Sequence, residues 1–599
     1  MNPSPSDTFA LGLCSMPWAI LNRPSIQLAA LSGYLQQKSA YQVELFHPYL
    51  AVANSLGTNL YPKIALSGWA GEALFAPLLY PEKREDAARL FYTSLPSVNS
   101  KEVDFNALTE QVEACCQNLL ETIDFSHYGL FGFSICFSQL FPSLYLAKLI
   151  KARQPDLPIV IGGSSCSGEV GRSLIKQYNQ VDFVIDGEGE ARLLSLCNFL
   201  TNTETMLADG IHSRIPVTKK SLPVSPLAIS SLPYPDYRPY LSEMRKSFSH
   251  QPFIPILPVE FSRGCWWNKC TFCNLNIQWA NYRFKDSGRM VDEVLALAER
   301  HESLQFTFTD NALPPKGADH FFAAINEMPL DFDFFAEIRA TAKIERLKTY
   351  RKGGLTTVQV GIEALSTSLL KKMDKGSTTM DNIAMMKLCA EHDIKMEGNL
   401  IAEFPTTSSK EIEETLLNLD FVLPFAPLTV ASFFLGYGSP IYRALEKYGI
   451  KTTLPHDKTR LLFPKEPLNA LTMLIYSYRG DKKKQQQKWK PVRKRVAAWQ
   501  DFHTNRPDKA RPALSYRDGG KFIIIRQERP SGKTLHHRLR GLSRKIYLSA
   551  QVPTPISEIR ACFPQIAHDT LATFIDEMCL KRLMFQENGR ILSLAVQQR

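Results

Sequence analysis

Along residues 8–200, short apolar runs alternate with stretches whose apolar positions recur every three to four residues, the pattern of strands followed by amphipathic helices. FALGLCS reads as a strand, Ser25–Gln37 as a helix and YQVELF as the next strand. A loop-rich stretch follows. The alternation then resumes with GLFGFSICF, a helix near Ser143–Arg153, PIVIGG, a helix near Glu169–Tyr178, and DFVIDGEGE before a further helix. Repeated strand, turn and helix predict an α/β domain over 1–201, doubly wound in the Rossmann or flavodoxin-like manner.

Residues 202–256 lose this period. Pro216, Pro223, Pro226, Pro233, Pro235 and Pro239 punctuate them, which predicts an extended linker. Over 257–465 six apolar strands return, ILPVEFSRG, QFTFTDN, FDFFAEIRA, TTVQVGIEA, KMEGNLIAEFP and LTVASFFLG, with a helix near Arg289–Arg300 after the first. They predict a partial (β/α)6 barrel. Residues 466–539 read as a basic connector. Over 540–599, two short helices and a hairpin at Asn588-Gly589 predict a winged-helix-like module, its first helix opened by Thr554-Pro555-Ile556.

A chain of 599 residues exceeds what one core can serve, so a multidomain α/β protein is expected. Hydrophobic residues at 44% and charged ones at 22% fit a folded, soluble chain. MNPSPSDTFALGLCSMPWAI lacks a basic n-region, and no apolar run has spanning length, so a cytoplasmic protein without a membrane partner is expected. The net charge of +11 comes partly from the run Lys482 to Arg495, which reads as a solvated helix face. Nucleic acid would call for interleaved aromatics, and only Trp489 stands there.

Most of the twelve cysteines are isolated in apolar segments, as Cys136 and Cys197 are, and read as small core residues. Ligand spacing occurs in RGCWWNKCTFCNLN, which sets Cys265, Cys270 and Cys273 on a loop after an apolar strand. Three thiolates suit a [4Fe–4S] cluster with one open iron, since full ligation takes four. An open iron can chelate the amino and carboxylate groups of S-adenosylmethionine and pass an electron to its sulfonium. A zinc ribbon would need a second cysteine pair, and three core cysteines sit poorly beside Arg263, Asn268 and Lys269. No catalytic acid, base or nucleophile stands out. In the first domain the strand-end groups Gly132-Phe133-Ser134, Gly162-Gly163-Ser164-Ser165 and Gly187-Glu188-Gly189 lie where open parallel sheets bind ligands. Their glycines either admit a large planar ligand or make tight turns.

Around the cysteine loop, residues 255–465 resemble the radical S-adenosylmethionine superfamily. That resemblance implies that Phe272 packs against adenine, that Thr309, Asp310 and Asn311 meet the methionine part, and that Gly361 and Glu363 lie beside the ribose. Four residues, Trp266 to Lys269, separate the first two cysteines where the superfamily's usual loop has three. A glycine-rich doubly wound domain before such a barrel is similar to cobalamin-binding radical enzymes, through IVIGGSSCSGEVGRSL and VDFVIDGEGEAR. This implies cobalamin on the three strand-end groups, without a lower axial histidine because the Asp-x-His-x-x-Gly motif is missing.

With TDNALP and the C-terminal module, the chain further resembles maturation enzymes of ribosomally synthesised, post-translationally modified peptides, although Asn274 follows the third cysteine where those have glycine. The implied activity is C-methylation of a ribosomal precursor peptide, with the module holding the peptide and a flavodoxin- or ferredoxin-type protein as reductant. A non-methylating rearrangement or epimerisation would use the same cofactors. A cluster-containing regulator with a DNA-binding winged helix is a third possibility, against which stand Asp569, Asp576 and Glu577 on the module's second helix. Tyr282, Arg283 and Lys285 read as loop supports, substrate contacts or a surface helix entry.

Overall fold

Six strands make the first sheet: β1 (Ala10–Cys14), β2 (Gln42–Phe46), β3 (Leu130–Ser134), β4 (Ile159–Gly162), β5 (Phe183–Ile185) and β6 (Ile211–Ser213). Their order is β2-β1-β3-β4-β5-β6, with β6 alone antiparallel. All five residues of β1 are buried, as a strand covered on both faces by helices must be. The chain reverses its winding between β1 and β3, so the carboxyl ends there open a crevice. This computed structural model describes residues 9–96, 103–215, 221–279, 281–340, 344–530 and 532–598. Of the stretches that entered the sequence reading, Met1–Thr8 and Pro216 lie outside the described residues.

Two stretches differ from expectation. The loop-rich stretch between β2 and β3 contains the helices Pro48–Leu56, Leu60–Leu66, Ala70–Leu79, Arg84–Ser94 and Phe105–Thr122. Pro62, Gly68 and Pro81 break the periodicity of the first four into short pieces, and Pro77 lies inside one of them, whereas Phe105–Thr122 is an unbroken helix of 18 residues. The linker is also ordered in part: β6 extends the first sheet past residue 201, and the helix Arg238–Ser247 buries Tyr240, Leu241 and Met244.

Glu72 on the Ala70–Leu79 helix accepts hydrogen bonds from the Leu140 and Phe141 amides at 3.0 and 2.9 Å, which caps the helix Leu140–Arg153. Burial pushes its carboxyl up to about 7, with those amides opposing. A raised acid binds more protons when folded, so its contribution to stability is complete below about pH 4.5 and lost as pH rises through 7. In thermal unfolding, Glu72→Gln is expected to flatten the pH dependence between those limits by up to about 3 kcal/mol.

The barrel strands are β7 (Leu257–Val259), then β10 (Gln305–Phe308), β11 (Asp333–Arg339), β12 (Leu355–Glu363), β13 (Lys395–Ala402) and β14 (Thr429–Ser432). All pair in parallel in the order β14-β13-β12-β11-β10-β7, so each of the six expected strands is present. Between β7 and β10 lies a short antiparallel ribbon, β8 (Ser262–Arg263) with β9 (Arg283–Phe284). It closes the base of the cysteine loop.

The basic run lies on the helix Lys482–Thr504, which buries Gln485, Trp489, Val492, Val496 and Trp499 and leaves Lys483, Lys484, Lys490 and Lys494 in solvent. Trp489 is fully buried, so it offers no stacking surface. Beyond this helix, the expected connector forms an antiparallel sheet of Leu514–Asp518, Phe522–Glu528 and Thr534–Arg540, completed by Val596–Gln597. Residues 541–593 run helix, strand, helix, helix, strand, strand, with Asn588 and Gly589 at positive φ in the hairpin. This module is docked on the barrel: Glu587 accepts from the Thr367 hydroxyl and, at 2.8 Å, from the Met380 amide, and Lys387 donates to the Gln551 carbonyl at 2.7 Å.

Candidate functional site

The carboxyl ends of the first sheet face the cysteine loop and the strand ends of the barrel across a cavity of about 320 Å³. Every strand-end residue singled out from the sequence lines it, from Gly132, Phe133 and Ser134 through Gly162, Gly163 and Ser164 to Gly187, Glu188 and Gly189, with the exception of Ser165. Ser165 lines a smaller cavity of about 100 Å³ behind it, with Cys136 and Phe137. From the barrel side come Thr309 and Asn311, then Ser262, Arg263 and Gly264 at the start of the cysteine loop, and Leu275, Gln278 and Trp279 at its far side. One space therefore joins both halves.

Asp310, between Thr309 and Asn311, is withdrawn from this space. It is 2% exposed and accepts from the Phe261 amide at 3.0 Å and from the Ser262 hydroxyl, so it ties β10 to the turn before β8. Burial pushes its carboxyl up to about 7, against those hydrogen bonds. Alternation along the chain explains this: with Thr309 and Asn311 facing the cavity, the residue between them faces inward.

The strand-end glycines divide. A Cβ on Gly163 would come within 2.7 Å of the Ile135 carbonyl and its φ is +100°, while Cβ atoms on Gly132 and Gly189 would meet Leu13 and Leu31 at 2.8 and 2.9 Å. Tight turning and packing account for these three. Gly162 and Gly187 have room beside them and leave backbone open to a ligand, although the φ of +81° at Gly187 also requires glycine for the turn itself.

Cys265, Cys270 and Cys273 are free thiols, each partly exposed. Burial raises the Cys270 thiol, while the cations of Lys375 and Arg339 favour its thiolate. Arg339 donates toward its sulfur at 3.8 Å and lies over the rings of Trp266 and Trp267. Burial pushes the Cys273 thiol up to about 11; the Leu275 amide opposes this, and nearby Cys270 and Cys265 add to it. Among the described residues no three His, Cys, Asp or Glu side chains converge on a single ion. A cluster presents a separate iron to each thiolate, so its ligands stand apart. Three thiols within electrostatic reach of one another, beside two cations, form a donor set that fits it.

Gly361 and Glu363 gather beside Cys270 rather than on the cavity wall. Glu363 pairs with Lys375 at 2.9 Å, and a Cβ on Gly361 would strike that Lys375 ammonium at 2.5 Å. Phe272 is half-buried and packs against the core. Arg283 and Lys285 are loop supports: Arg283 pairs with Glu188, and Lys285 with buried Glu293 at 2.7 Å. Sequence reasoning missed the acidic partners. Arg263, in the cavity wall, pairs with Glu188 at 2.9 Å, with Glu260 at 2.8 Å and with Glu190, and lies 5.4 Å from the centroid of the Trp279 ring. GEGE and SRGC lie over seventy residues apart, and no local pattern links them.

Residues 259–419 match the family model of the Radical SAM superfamily, so the barrel carries a radical SAM domain. An uncharacterised methyltransferase of Pyrococcus horikoshii is 25% identical over 317 residues, which span 51% of this chain and 67% of the relative. An anaerobic magnesium-protoporphyrin IX monomethyl ester cyclase of Synechocystis is 25% identical over 393 residues, 62% of this chain and 73% of the relative. Among solved structures, the cobalamin-dependent S-adenosylmethionine radical enzyme OxsB, with aqua-cobalamin and S-adenosylmethionine bound, superposes with a TM-score of 0.57 at 15% identity, covering 83% of this chain and 67% of that one. The likeness is one of fold, and it takes in the N-terminal sheet as well as the barrel. No described helix is long and apolar enough to cross a membrane.

Proposed function

We propose that this radical SAM enzyme is a cobalamin-dependent C-methyltransferase acting on a ribosomal precursor peptide. The observation that carries the reading is the single cavity, walled on one side by the strand ends of the doubly wound sheet and on the other by the cysteine loop with Thr309 and Asn311. When bound, S-adenosylmethionine on a reduced cluster supplies hydrogen abstraction from carbon, and methylcobalamin supplies the methyl group.

Cys265, Cys270 and Cys273 would hold the cluster, with Lys375 and Arg339 favouring the Cys270 thiolate. Gly361 and Glu363 stand beside that cysteine, and Thr309 and Asn311 face the cavity, so both groups border the cysteine loop where S-adenosylmethionine would sit. The backbone at Gly162 and Gly187, with the apolar wall of Leu13, Leu31, Val160 and Ile185, would receive cobalamin and keep water from its face.

The peptide substrate is supported by the resemblance drawn from the sequence and by the helix and hairpin order of residues 541–593, which offers a strand edge to an extended segment. Acidic side chains on the helix His568–Leu580 weigh against DNA there. A non-methylating rearrangement or epimerisation with the same cofactors is the second reading, and the similarity to a cyclase favours a reaction that adds no methyl group.

Anaerobic purification from cobalamin-supplemented cells should return about four irons and about one cobalt per chain. Incubation with the precursor peptide, S-adenosylmethionine and reductant should then add one methyl group to the peptide by mass. Cleavage of S-adenosylmethionine with a product of unchanged mass would sink methyl transfer in favour of rearrangement.

A further inference from the structure

Three features of the site meet at one carboxylate. Glu188 belongs to the turn Gly187-Glu188-Gly189, whose backbone lines the cavity on the N-terminal side. Its two oxygens engage separate arginines: Oε2 accepts from Arg263 Nη1 at 2.9 Å and Oε1 from Arg283 Nη2. Those arginines face each other across the ribbon of β8 and β9. They therefore mark the two ends of the loop that carries Cys265, Cys270 and Cys273.

Little in this connection can give. The side chains of Arg263 and Glu190 are each 5% exposed, Glu188 is 12% exposed and Arg283 20%, so the Arg263 side of the connection is closed to bulk water and the Arg283 side is largely shielded from it. Arg263 is pinned further by Glu260 and Glu190. On the other side, Gly189 lies close against Leu31, which an added Cβ would meet at 2.9 Å. Arg263 reaches Glu188 through Nη1, and Arg283 through Nη2 while its Nη1 donates to the Leu227 carbonyl, so one charged hydrogen bond ties each end of the ribbon to the turn and a shift of the turn is passed to both.

We propose that Glu188 and Arg283 are positioning residues that couple the two halves of the site: occupation of the N-terminal half by cobalamin and holding of the cluster by the cysteine loop favour one arrangement of the ribbon, so each group strengthens binding of the other. This rests on the reading that both groups bind. Coupling between two bound groups is reciprocal, so it is measurable from either side.

The full chain is prepared with its cluster and free of iron, and each form is titrated with hydroxocobalamin by absorbance. The parent is expected to bind cobalamin about tenfold more tightly with the cluster in place, and cobalamin is expected to slow chelator-driven iron loss by a similar factor. In Arg283→Gln both ratios fall to within about twofold of unity, while cobalamin affinity of the iron-free chain holds. Arg283→Lys, which keeps the charge but has a single ammonium where Arg283 reaches both Glu188 and the Leu227 carbonyl, gives an intermediate ratio. Glu188→Gln loses the same coupling, and adding it to Arg283→Gln removes no more.

Equal cobalamin affinity with and without the cluster in the parent overturns the proposal, as does undiminished coupling in Arg283→Gln. If that variant loads no iron, the parent ratio and the Arg283→Lys ratio decide the matter. An iron-loaded parent that takes up no cobalamin overturns the cofactor reading beneath it instead.

Discussion

Replacing Cys265, Cys270 and Cys273 together with alanine is expected to abolish cluster iron and its visible absorption while leaving cobalamin uptake at the weaker affinity of the iron-free parent. The reason lies in what each half of the site is made of. The thiols sit on a loop closed by the β8–β9 ribbon, whereas the side proposed for cobalamin is built from strand-end backbone of β3, β4 and β5. Removing three sulfurs from partly exposed positions costs little packing. Iron and sulfide analysis with an absorption spectrum reads the result, and retained iron would reject these ligands.

Arg263→Met is the second large effect, and it concerns stability. Methionine fills part of the volume but leaves Glu188, Glu190 and Glu260 facing one another without their shared cation. Breaking a buried pair in this way costs about 3–5 kcal/mol. Burial raises the Glu190 carboxyl and the Arg263 charge more than offsets it, so in the parent it lies below its usual value of 4.5. A depressed acid contributes stability that is present above pH 4.5 and lost as pH falls through its folded value. The deficit of Arg263→Met in urea unfolding should therefore be largest near pH 7 and shrink as pH falls below 4.5. A deficit that does not change with pH would mean that lost packing, not charge, explains it.

The barrel was legible because its strands are apolar, short and bounded by turn residues, and all six of the expected strands pair in sequence order. The four helices over 48–94 were not, since segments of seven to eleven residues broken by proline and glycine carry too few turns to reveal a period. Residues 466–539 misled for another reason. Their charge drew the reading toward a connector, while the buried side of the helix Lys482–Thr504 is carried by only five residues in twenty-three. Among candidate site residues, Thr309 and Asn311 line the cavity, while Asp310 between them is turned into the protein. A contiguous motif says nothing about which of its side chains turns inward.

By itself the sequence determined the cysteine triplet, the parallel strands and the strand-end glycine groups, because each follows from local spacing and short-range periodicity. Only the tertiary structure decided that both halves open onto one cavity, that Gly132, Gly163 and Gly189 are needed for packing, and that Glu188 bridges Arg263 and Arg283. These depend on residues 75 and 95 positions apart meeting in space. Such pairings are set by how the sheet and the barrel pack together, and that packing leaves no trace in any window of the chain.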